Sequence, residues 1–415
     1  MIHSNHIKHI RGEVMKNFKK NNKPMILLLL GICIIMIGIF IDTAISEDIS
    51  TNLDLSTNGD MNNNDNREYG LSSPMGNNSS IQYEKKNKEY IKEELINFND
   101  NVEHIFFHPL VVYNELAFDG DYQSKGMDDW FVTVKEFKEI LKQLYKNNYI
   151  LIDINSIYET KKENNKEVMA RKSIKIPKGK KPLIISIDDM NYYEYMIKNG
   201  TIHKLVLDQH GNIASYTNTK DGKHIIEYDN SIVTILDNFV NDNPDFSLNG
   251  AKATIALTGY EGVLGYRTNN GNKDKDTEIE KVRPIIKRLK DTGWNFASHS
   301  YGHPDVSEIS YEKLKDDTDK WEMQVESLIG KTKVYIYPFG SSLKYKDSKL
   351  QYLKNKGFKI FCGVGPSSYE ELVNDIVQTD RRHVDGISLR NQREKFLDLY
   401  DSNTVLDLEG RKTIK

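Results

Sequence analysis

The sequence predicts an α/β fold, with a (β/α) barrel of about seven parallel strands as the first choice. Two observations favour it. Short apolar segments rich in β-branched and aromatic residues alternate with amphipathic helical segments through most of the second half. Three times a helix ends in Asn or Gly, an aromatic residue follows and a strand begins, as in KNNYILI, DTGWNFA and NKGFKIF. This repeated junction indicates parallel strands joined by right-handed crossovers, which a barrel closes into one sheet.

The predicted strands share an apolar, β-branched or aromatic pattern. In chain order they read IFFHPLVV, YILIDI, PLIISI, ATIALT, WNFAS, KVYIY and FKIFCG. Three helices between them carry start or stop signals. The first begins with the capping box TVKE at 133–136, the second opens near Pro284 and stops at Gly293, and the third runs from about 310 to 330.

Polar residues follow three of these strands. Asp188 and Asp189 come after PLIISI, His299 and His303 come after WNFAS, and the turn 338–341 comes after KVYIY. The C-terminal ends of parallel strands share one face of a barrel, so we expect these groups to converge there. One carboxylate and two imidazoles can bind a divalent metal that lowers the pKa of bound water toward about 7, and a second carboxylate can take that water's proton. The pattern is that of a metal-assisted hydrolase.

Each pair alone has a plain structural explanation. An Asp-Asp pair after a strand is often a helix N-cap and turn, and a His-x-x-x-His pair is often solvated or hydrogen-bonded without a metal. Their joint occurrence at strand ends favours the functional interpretation.

The ordered motifs SIDDM, SHSYGH and YPFG, within a span of roughly 105–400, resemble those of the polysaccharide deacetylases, carbohydrate esterase family four. The resemblance implies that Asp188 is the general base and that Asp189, His299 and His303 are the metal ligands. It also implies a distorted barrel that removes N-acetyl groups from an aminosugar polymer.

The third motif of the resemblance shapes one wall of the groove and corresponds to Pro338, Phe339 and Gly340, with the Phe339 N–H as an oxyanion donor. The family's arginine, which pairs with the catalytic aspartate, is replaced by Ile336. Met190 replaces a glycine, and no tryptophan follows FKIFCGVG. Without that arginine, either another group orients Asp188 or the deacetylase activity implied by the resemblance is weaker.

The general acid implied by the resemblance is His383 in TDRRHVDG, although no apolar strand pattern precedes it. The implied metal is zinc, with cobalt, manganese or nickel as alternatives. Tyr192, Tyr193 and His108 are candidate substrate contacts, and packing in the core is the alternative for each.

The N-terminal region predicts where the protein works. Residues 25–41 carry no charge and follow a basic stretch, so we expect a single-pass membrane anchor with the rest of the chain outside the cell. Cleavage at Ala44-Ile45-Ser46 with secretion is the alternative. The predicted parts are a basic tail (1–24), the anchor (25–41), a flexible stalk (42–83), a helical extension (84–103), the deacetylase domain (104–402) with an insertion (195–252), and a C-terminal tail (403–415).

The predicted function is metal-dependent de-N-acetylation of an extracellular polymer, with the N-acetylglucosamine of peptidoglycan as first choice. The alternatives are a wall-polysaccharide-binding protein that keeps the metal site with little or no turnover, and a glycan O-acetyl esterase. A formal net charge of −3 with dispersed basic residues excludes nucleic acid as an expected partner. We expect a monomer.

Overall fold

The computed structural model describes residues 94–219 and 223–412. The predicted basic tail, anchor and stalk lie outside the described residues. Among the residues described, helices that combine the length and the apolar character needed to cross a bilayer are absent.

The strands are short, and the longest contains eight residues. They are β1 (Leu95–Phe98), β2 (Glu103–Phe107), β3 (Tyr149–Leu151), β4 (Tyr158–Glu163), β5 (Lys166–Arg171), β6 (Ile174–Pro177), β7 (Lys181–Ile187), β8 (Lys204–Leu207), β9 (Ile213–Asn218), β10 (His224–Glu227), β11 (Thr254–Leu257), β12 (Asn295–Ser298), β13 (Val334–Ile336), β14 (Ile360–Val364), β15 (Tyr369–Val373) and β16 (Ile376–His383).

The helices lie between and after these strands. They are α1 (Asn114–Ala117), α2 (Ser124–Trp130), α3 (Val134–Lys146), α4 (Glu194–Lys198), α5 (Ile232–Asp242), α6 (Lys275–Asp291), α7 (Tyr311–Trp321), α8 (Ser327–Ile329), α9 (Ser348–Asn355), α10 (Gly386–Asn391) and α11 (Ser402–Val405). The turn Pro338–Gly340 is a short 3₁₀ helix.

Seven parallel strands close a barrel in the order β11-β12-β13-β14-β16-β2-β7, and β7 pairs back to β11. The predicted barrel of about seven parallel strands is therefore confirmed, but one predicted strand was assigned wrongly. β3, from YILIDI, lies outside the ring because it pairs only with the first residues of β7, Lys181–Leu183, while β11 pairs with its last residues, Ser186 and Ile187. The seventh ring strand is β16, which the sequence pattern did not reveal.

The three predicted helix-to-strand junctions are confirmed. Asn148, Gly293 and Gly357 have φ angles of 63°, 95° and 106°, the left-handed conformation that ends a helix. At Gly293 a side chain is also excluded by space, because an added Cβ would lie 1.9 Å from the backbone oxygen of Gly250. Each junction turns the chain directly into β3, β12 or β14.

Helix boundaries differ from prediction in one place. The capping box at Thr133 is present, and α7 begins after Ser310 and continues through a π-helical turn to Gly330. The prediction that a helix opens at Pro284 is wrong, because α6 begins at Lys275 and contains this proline. Proline has no N–H to donate to the carbonyl oxygen of the preceding turn. Pro284 lies on the exposed face of α6, so the missing helical hydrogen bond is on the solvent side.

Two boundary segments also differ. The predicted helical extension contains a strand, since β1 pairs antiparallel with β6. The described part of the predicted C-terminal tail, residues 403–412, packs on the domain. Arg411 is buried and donates to Glu136 at 2.8 and 2.7 Å and to Asp128 at 2.8 Å. Glu136 of the capping box is itself fully buried, and its charge needs this cation.

The predicted insertion 195–252 has the expected elements. β8 and β9 form an antiparallel hairpin around Gly211, β10 adds a third strand, and α5 begins after its capping residue Ser231. The domain core has two main layers: one fills the barrel interior with residues such as Ile184, and the other lies between barrel and helices.

Candidate active site

Alternate side chains of the barrel strands point inward, and the inward set becomes polar toward the C-terminal end. On β7, for example, Ile184 lies in the interior apolar layer, and Ser186 and Asp188 follow it at a period of two. The inward polar set at this end is His104, Ser186, Asp188, His299, Arg381 and His383. The predicted convergence of groups from separate strands is therefore present.

Asp188 and Arg381 form a buried, two-pronged ion pair across the barrel. The guanidinium donates to the two carboxylate oxygens at 2.7 and 2.9 Å, and Arg381 is fully buried. Arg381 is held from three other directions: it donates to Ser186 Oγ at 3.0 Å and to the Gly363 oxygen at 3.2 Å, and it lies 4.0 Å from the Phe106 ring centre. The resemblance implied an arginine in the third motif as the partner of Asp188, and Ile336 stands there instead. Arg381 from β16 forms this pairing with Asp188.

The charge of Asp188 follows from these contacts. Burial alone would raise the pKa of its carboxyl group, but Arg381 and the nearby His299 hold that pKa far below its usual range. Asp188 is therefore an anion at any working pH. Its carboxylate lies 3.8 Å from His299 Nε2, beside the predicted metal ligands.

Asp189, His299 and His303 come together as predicted. One ligand atom from each lies within 4.8 Å of the other two. The Nε2 atoms of His299 and His303 are 4.0 and 3.9 Å from the Asp189 oxygens, too far for hydrogen bonds. Two imidazoles and a carboxylate facing one point are a donor set that suits zinc and similar divalent ions.

Neighbouring groups orient these ligands. His299 Nδ1 lies 2.9 Å from the Ile336 carbonyl oxygen, which can only accept, so the ring proton is on Nδ1 and the lone pair of Nε2 faces the centre. The Tyr193 hydroxyl donates to Asp189 Oδ1 at 2.7 Å. Burial would raise the pKa of Asp189, and His303 and the other nearby histidines lower it below its ordinary value.

Several site residues have a left-handed backbone. Asp189, Ser300, His303 and Phe339 have φ angles of 59°, 60°, 54° and 56°. Non-glycine residues adopt this conformation rarely, at a cost of about 1–3 kcal/mol, and it concentrates at functional sites. Here these residues lie in the turns that follow β7, β12 and β13.

The YPFG turn forms one wall of the site. Phe339 is 43% exposed, and its ring contacts that of His303 edge-on, with ring centres 4.6 Å apart. Pro338 is buried. Gly340, at φ 67°, packs so closely that an added Cβ would lie 2.6 Å from Val364 Cβ, so this turn requires glycine.

His383 is the last residue of β16, so the expectation that no strand precedes it is wrong. Its Nδ1 lies 2.9 Å from Asp385 Oδ2, and its ring is stacked on Phe106 with centres 4.2 Å apart. Its Nε2 lies 3.1 Å from Nδ1 of His108. Burial, reinforced by the neighbouring His383, lowers the pKa of His108 to about 4.

The three candidate substrate contacts separate into different environments. Tyr192 is 1% exposed and packs in the core, so its prediction as a contact is wrong. Tyr193 is 2% exposed, and its hydroxyl donates to Asp189, so the structure gives it the role of orienting a candidate ligand. His108 lies at the site, with Nε2 3.8 Å from Asp189 Oδ2.

Sequence reasoning missed Arg381 and Asp385. The available signal was the period of two in IVQTDRRH, which places Arg381 and His383 on one face. Arg382 lies between them on the outward face, where it pairs with Glu103. Because charged residues occupy both faces of the segment, its sequence lacks the apolar pattern of a strand and resembles that of a loop.

Comparison with known proteins gives one family match. Residues 247–361, which include His299, His303 and the YPFG turn, match the family described as polysaccharide deacetylase. Among curated protein sequences, the comparison finds no match.

Among solved structures, the deacetylase PplD of Streptococcus pyogenes, in complex with acetate, is 15% identical, with 70% of this chain and 94% of that chain covered and a TM-score of 0.37. A polysaccharide deacetylase of Bacillus cereus is 15% identical, with 74% and 71% covered and a TM-score of 0.38. A CE4 family pseudoenzyme of Bacillus anthracis is 12% identical, with 35% and 50% covered and a TM-score of 0.21.

Proposed function

We propose that the chain, in which residues 247–361 match the polysaccharide deacetylase family, hydrolyses N-acetyl groups of an extracellular aminosugar polymer with the help of a divalent metal. The observation that carries the proposal is the pairing of Asp188 with Arg381 beside three facing ligand atoms. An anionic carboxylate that is held off the metal set, yet adjacent to it, suits a general base.

Each residue then has a defined role. Asp189, His299 and His303 would hold the metal, which when bound polarises the acetamide carbonyl and acidifies water. Asp188 takes the proton of the attacking water. The Phe339 N–H would donate to the oxyanion, and the histidine pair formed by His108 and His383 lies where it could protonate the leaving nitrogen.

The substrate class rests on the shape of the site and on the location that the sequence predicts. Phe339 exposes an aromatic face beside the metal ligands, as a sugar ring requires for stacking. We propose peptidoglycan as the polymer, reached from a membrane anchor at residues 25–41, and the protein as a monomer. Zinc is the proposed metal.

The wall-binding alternative was supported by the missing third-motif arginine and the missing tryptophan. The pairing of Arg381 with Asp188 weakens the first of these two arguments. Metal binding alone does not need Asp188, so an anionic carboxylate beside the ligand set favours turnover over binding alone.

The test is acetate release by the purified full-length protein from chitooligosaccharides and from peptidoglycan. We expect release by the wild type, loss after chelation, and recovery with zinc, cobalt, manganese or nickel in an order that identifies the preferred ion. Asp188→Asn should lower the rate about 10²- to 10⁴-fold while metal binding persists. Metal binding without acetate release from any polymer would contradict the proposal in favour of the binding protein.

A further inference from the structure

The loop between the two candidate histidine ligands is held by a side chain of α7. Tyr301 and Gly302 lie between these histidines in the chain. Each donates its backbone N–H to the carboxylate of Asp317, and both N···O distances are 2.7 Å. Each N–H has its own carboxylate oxygen, so one side chain fixes two consecutive peptide units of the loop.

The conformation of the loop requires support. Ser300 and His303, on either side of the two held peptides, have φ angles of 60° and 54°. Non-glycine residues adopt this left-handed conformation rarely and keep it only where the surrounding structure determines it. The two hydrogen bonds to Asp317 lie between these two strained positions.

His303 depends on the loop more than the other two candidate ligands do. The Ile336 carbonyl oxygen orients His299, and the Tyr193 hydroxyl orients Asp189. In the part of the chain that the structure describes, no hydrogen bond from another residue orients the ring of His303, whose centre lies 4.8 Å from that of the His299 ring. The backbone of the loop therefore sets where the His303 ring lies.

Tyr301 is anchored at three points. Besides the N–H that donates to Asp317, its carbonyl oxygen accepts from the Gly259 N–H at 2.9 Å. Its hydroxyl donates to Gln324 Oε1 at 3.2 Å. Gln324 lies in the π-helical turn Glu322–Glu326 that continues α7, and such turns are frequent at functional sites. The same helical segment thus holds both the backbone and the side chain of Tyr301.

α7 is itself fixed against the barrel. Trp321 is fully buried, and its Nε1 donates to the carbonyl oxygen of Leu257, the last residue of β11, at 2.8 Å. Asp317 lies one turn before Trp321, so the two side chains share one face of the helix. The carboxylate that holds the loop therefore stands on a helix whose position relative to the strand end is fixed.

The helix does not need Asp317 for its own stability. Aspartate is a poorer helix former than alanine in a helix interior. The N-terminus of α7 is capped by Ser310, whose side chain accepts from the Lys313 N–H at 3.3 Å. Both oxygens of Asp317 accept from the loop instead.

We propose that Asp317 is a positioning residue for the metal site, which holds the loop in the shape that places His303 beside His299 before a metal ion binds. The inference rests on the metal site of the proposed function. A ligand set that is ordered in advance loses less binding free energy to ordering of the chain, so its affinity is higher. Loss of a group that orients the ligands typically weakens metal binding about 10- to 100-fold.

Two substitutions at Asp317 remove its acceptors in steps. Asp317→Asn keeps one acceptor oxygen, and Asp317→Ala keeps none. Because alanine favours a helix, a loss of metal affinity in Asp317→Ala does not come from a weaker α7. Gly302 is exposed, so water can satisfy its N–H, and we expect both variants to fold. The matched control is Asp316→Ala, which removes the neighbouring carboxylate of α7 that pairs with Lys320.

The first measurement is zinc affinity, by competition with a fluorescent chelator, on full-length protein from which metal has been removed. We expect binding about 10- to 100-fold weaker than wild type for Asp317→Asn and at least as weak for Asp317→Ala. Asp316→Ala should equal wild type.

The second measurement is the visible spectrum at saturating cobalt(II), which a purely structural role of Asp317 would not change. Cobalt(II) absorbs strongly at low coordination numbers and weakly when octahedral. If His303 is displaced and water takes its place, the absorbance should fall in both Asp317 variants and stay at the wild-type value in Asp316→Ala.

Two results would overturn the proposal. One is a zinc affinity and a cobalt spectrum of both Asp317 variants that equal those of Asp316→Ala. The other is a melting temperature lowered equally with and without metal, at unchanged affinity and spectrum, because Asp317 would then serve the fold alone. Neither measurement needs turnover, so a wild type that binds cobalt but releases no acetate from any polymer would refute the proposed hydrolysis, while the difference between the variants still decides the role of Asp317.

Discussion

The two carboxylates that end β7 are adjacent in sequence but lie in regions of opposite electrostatic character. Asp188 belongs to an inner region in which Arg381 neutralises it completely, with two hydrogen bonds of 2.7 and 2.9 Å. Asp189 belongs to an outer region where its partners are a tyrosine hydroxyl and imidazole nitrogens about 4 Å away.

The inner region is balanced by groups of the chain itself, whereas the outer region directs three ligand atoms toward one another. Charge and hydrogen bonds are balanced around Asp188 by groups of the chain itself, so it stays anionic and does not compete for the metal. Around Asp189, lone pairs face one another, and a cation is the group that would satisfy them together. Under the proposed function the same dipeptide would provide a base and a ligand, and each of the following predictions tests that division.

The largest effect is expected from His303→Ala. It leaves two protein ligands, so we expect bound metal to be lost and acetate release to fall more than about 10³-fold, because both metal and orientation disappear. His303 is partly exposed, so the fold should persist. Differential scanning fluorimetry should show a chelator-sensitive melting temperature for wild type and an insensitive one for the variant. An unchanged metal content would show that the outer region does not need this histidine.

The inner region should respond differently to Arg381→Met. It leaves Asp188 as an unpaired buried anion, so we expect a loss of about 3–5 kcal/mol in the free energy of unfolding at pH 7, measured with urea. The bound metal should change less than in His303→Ala.

The stabilisation of the fold by the Asp188–Arg381 pair should depend on pH. Because Arg381 holds the pKa of Asp188 below its ordinary value, the pair stabilises the fold above roughly pH 4, and this stabilisation is lost as pH falls toward the lowered pKa. Without the arginine the pKa of Asp188 rises, so the acidic limb of kcat/KM should move to higher pH. The double variant with Asp188→Asn is the control, and it should recover part of the lost stability. Equal urea midpoints for wild type and Arg381→Met would contradict the division.

The two regions also differ in how far sequence could predict them. Asp189, His299 and His303 follow strands whose apolar character marks them, so strand ends and ligand chemistry together predicted the outer region. Arg381 lies inside a strand that is polar on both faces near its end, because it faces Asp188 inward while Arg382 pairs with Glu103 outward. Charges that are satisfied only across the barrel are invisible to a local pattern.

The same limit explains the error in the strand list. The segment of β3 has the apolar character of a barrel strand, whereas β16 does not. A strand belongs to the closed barrel only if its partners continue the ring, and at the C-terminal half of β7 that partner is β11 rather than β3. That choice is made by tertiary packing. The helix-to-strand junctions, in contrast, are local, and Gly293 and Gly357 could be predicted because their backbone conformation favours glycine.

A smaller effect is expected at the support of the outer region. Tyr193→Phe removes the hydroxyl that donates to Asp189, so we expect about 10- to 100-fold weaker metal binding with an intact fold. Competition with a fluorescent zinc chelator measures the affinity. Tyr192→Phe is the matched control, because Tyr192 is the neighbouring tyrosine and packs in the core. Equal affinities for the two variants would show that this hydrogen bond does not orient the ligand.

The smallest effect is expected where the outer region meets the substrate. Phe339 exposes its ring beside His303, so Phe339→Ala should weaken polymer binding by about 1 kcal/mol and raise KM about fivefold with little change in kcat. Phe339→Tyr keeps an aromatic face and should leave KM unchanged. Since the backbone of residue 339 has φ 56° in wild type, both variants bear the same backbone cost, and the difference between them isolates the ring. A fall in kcat for both would instead indicate that this turn positions the oxyanion donor, and that the ring does not contribute to sugar binding.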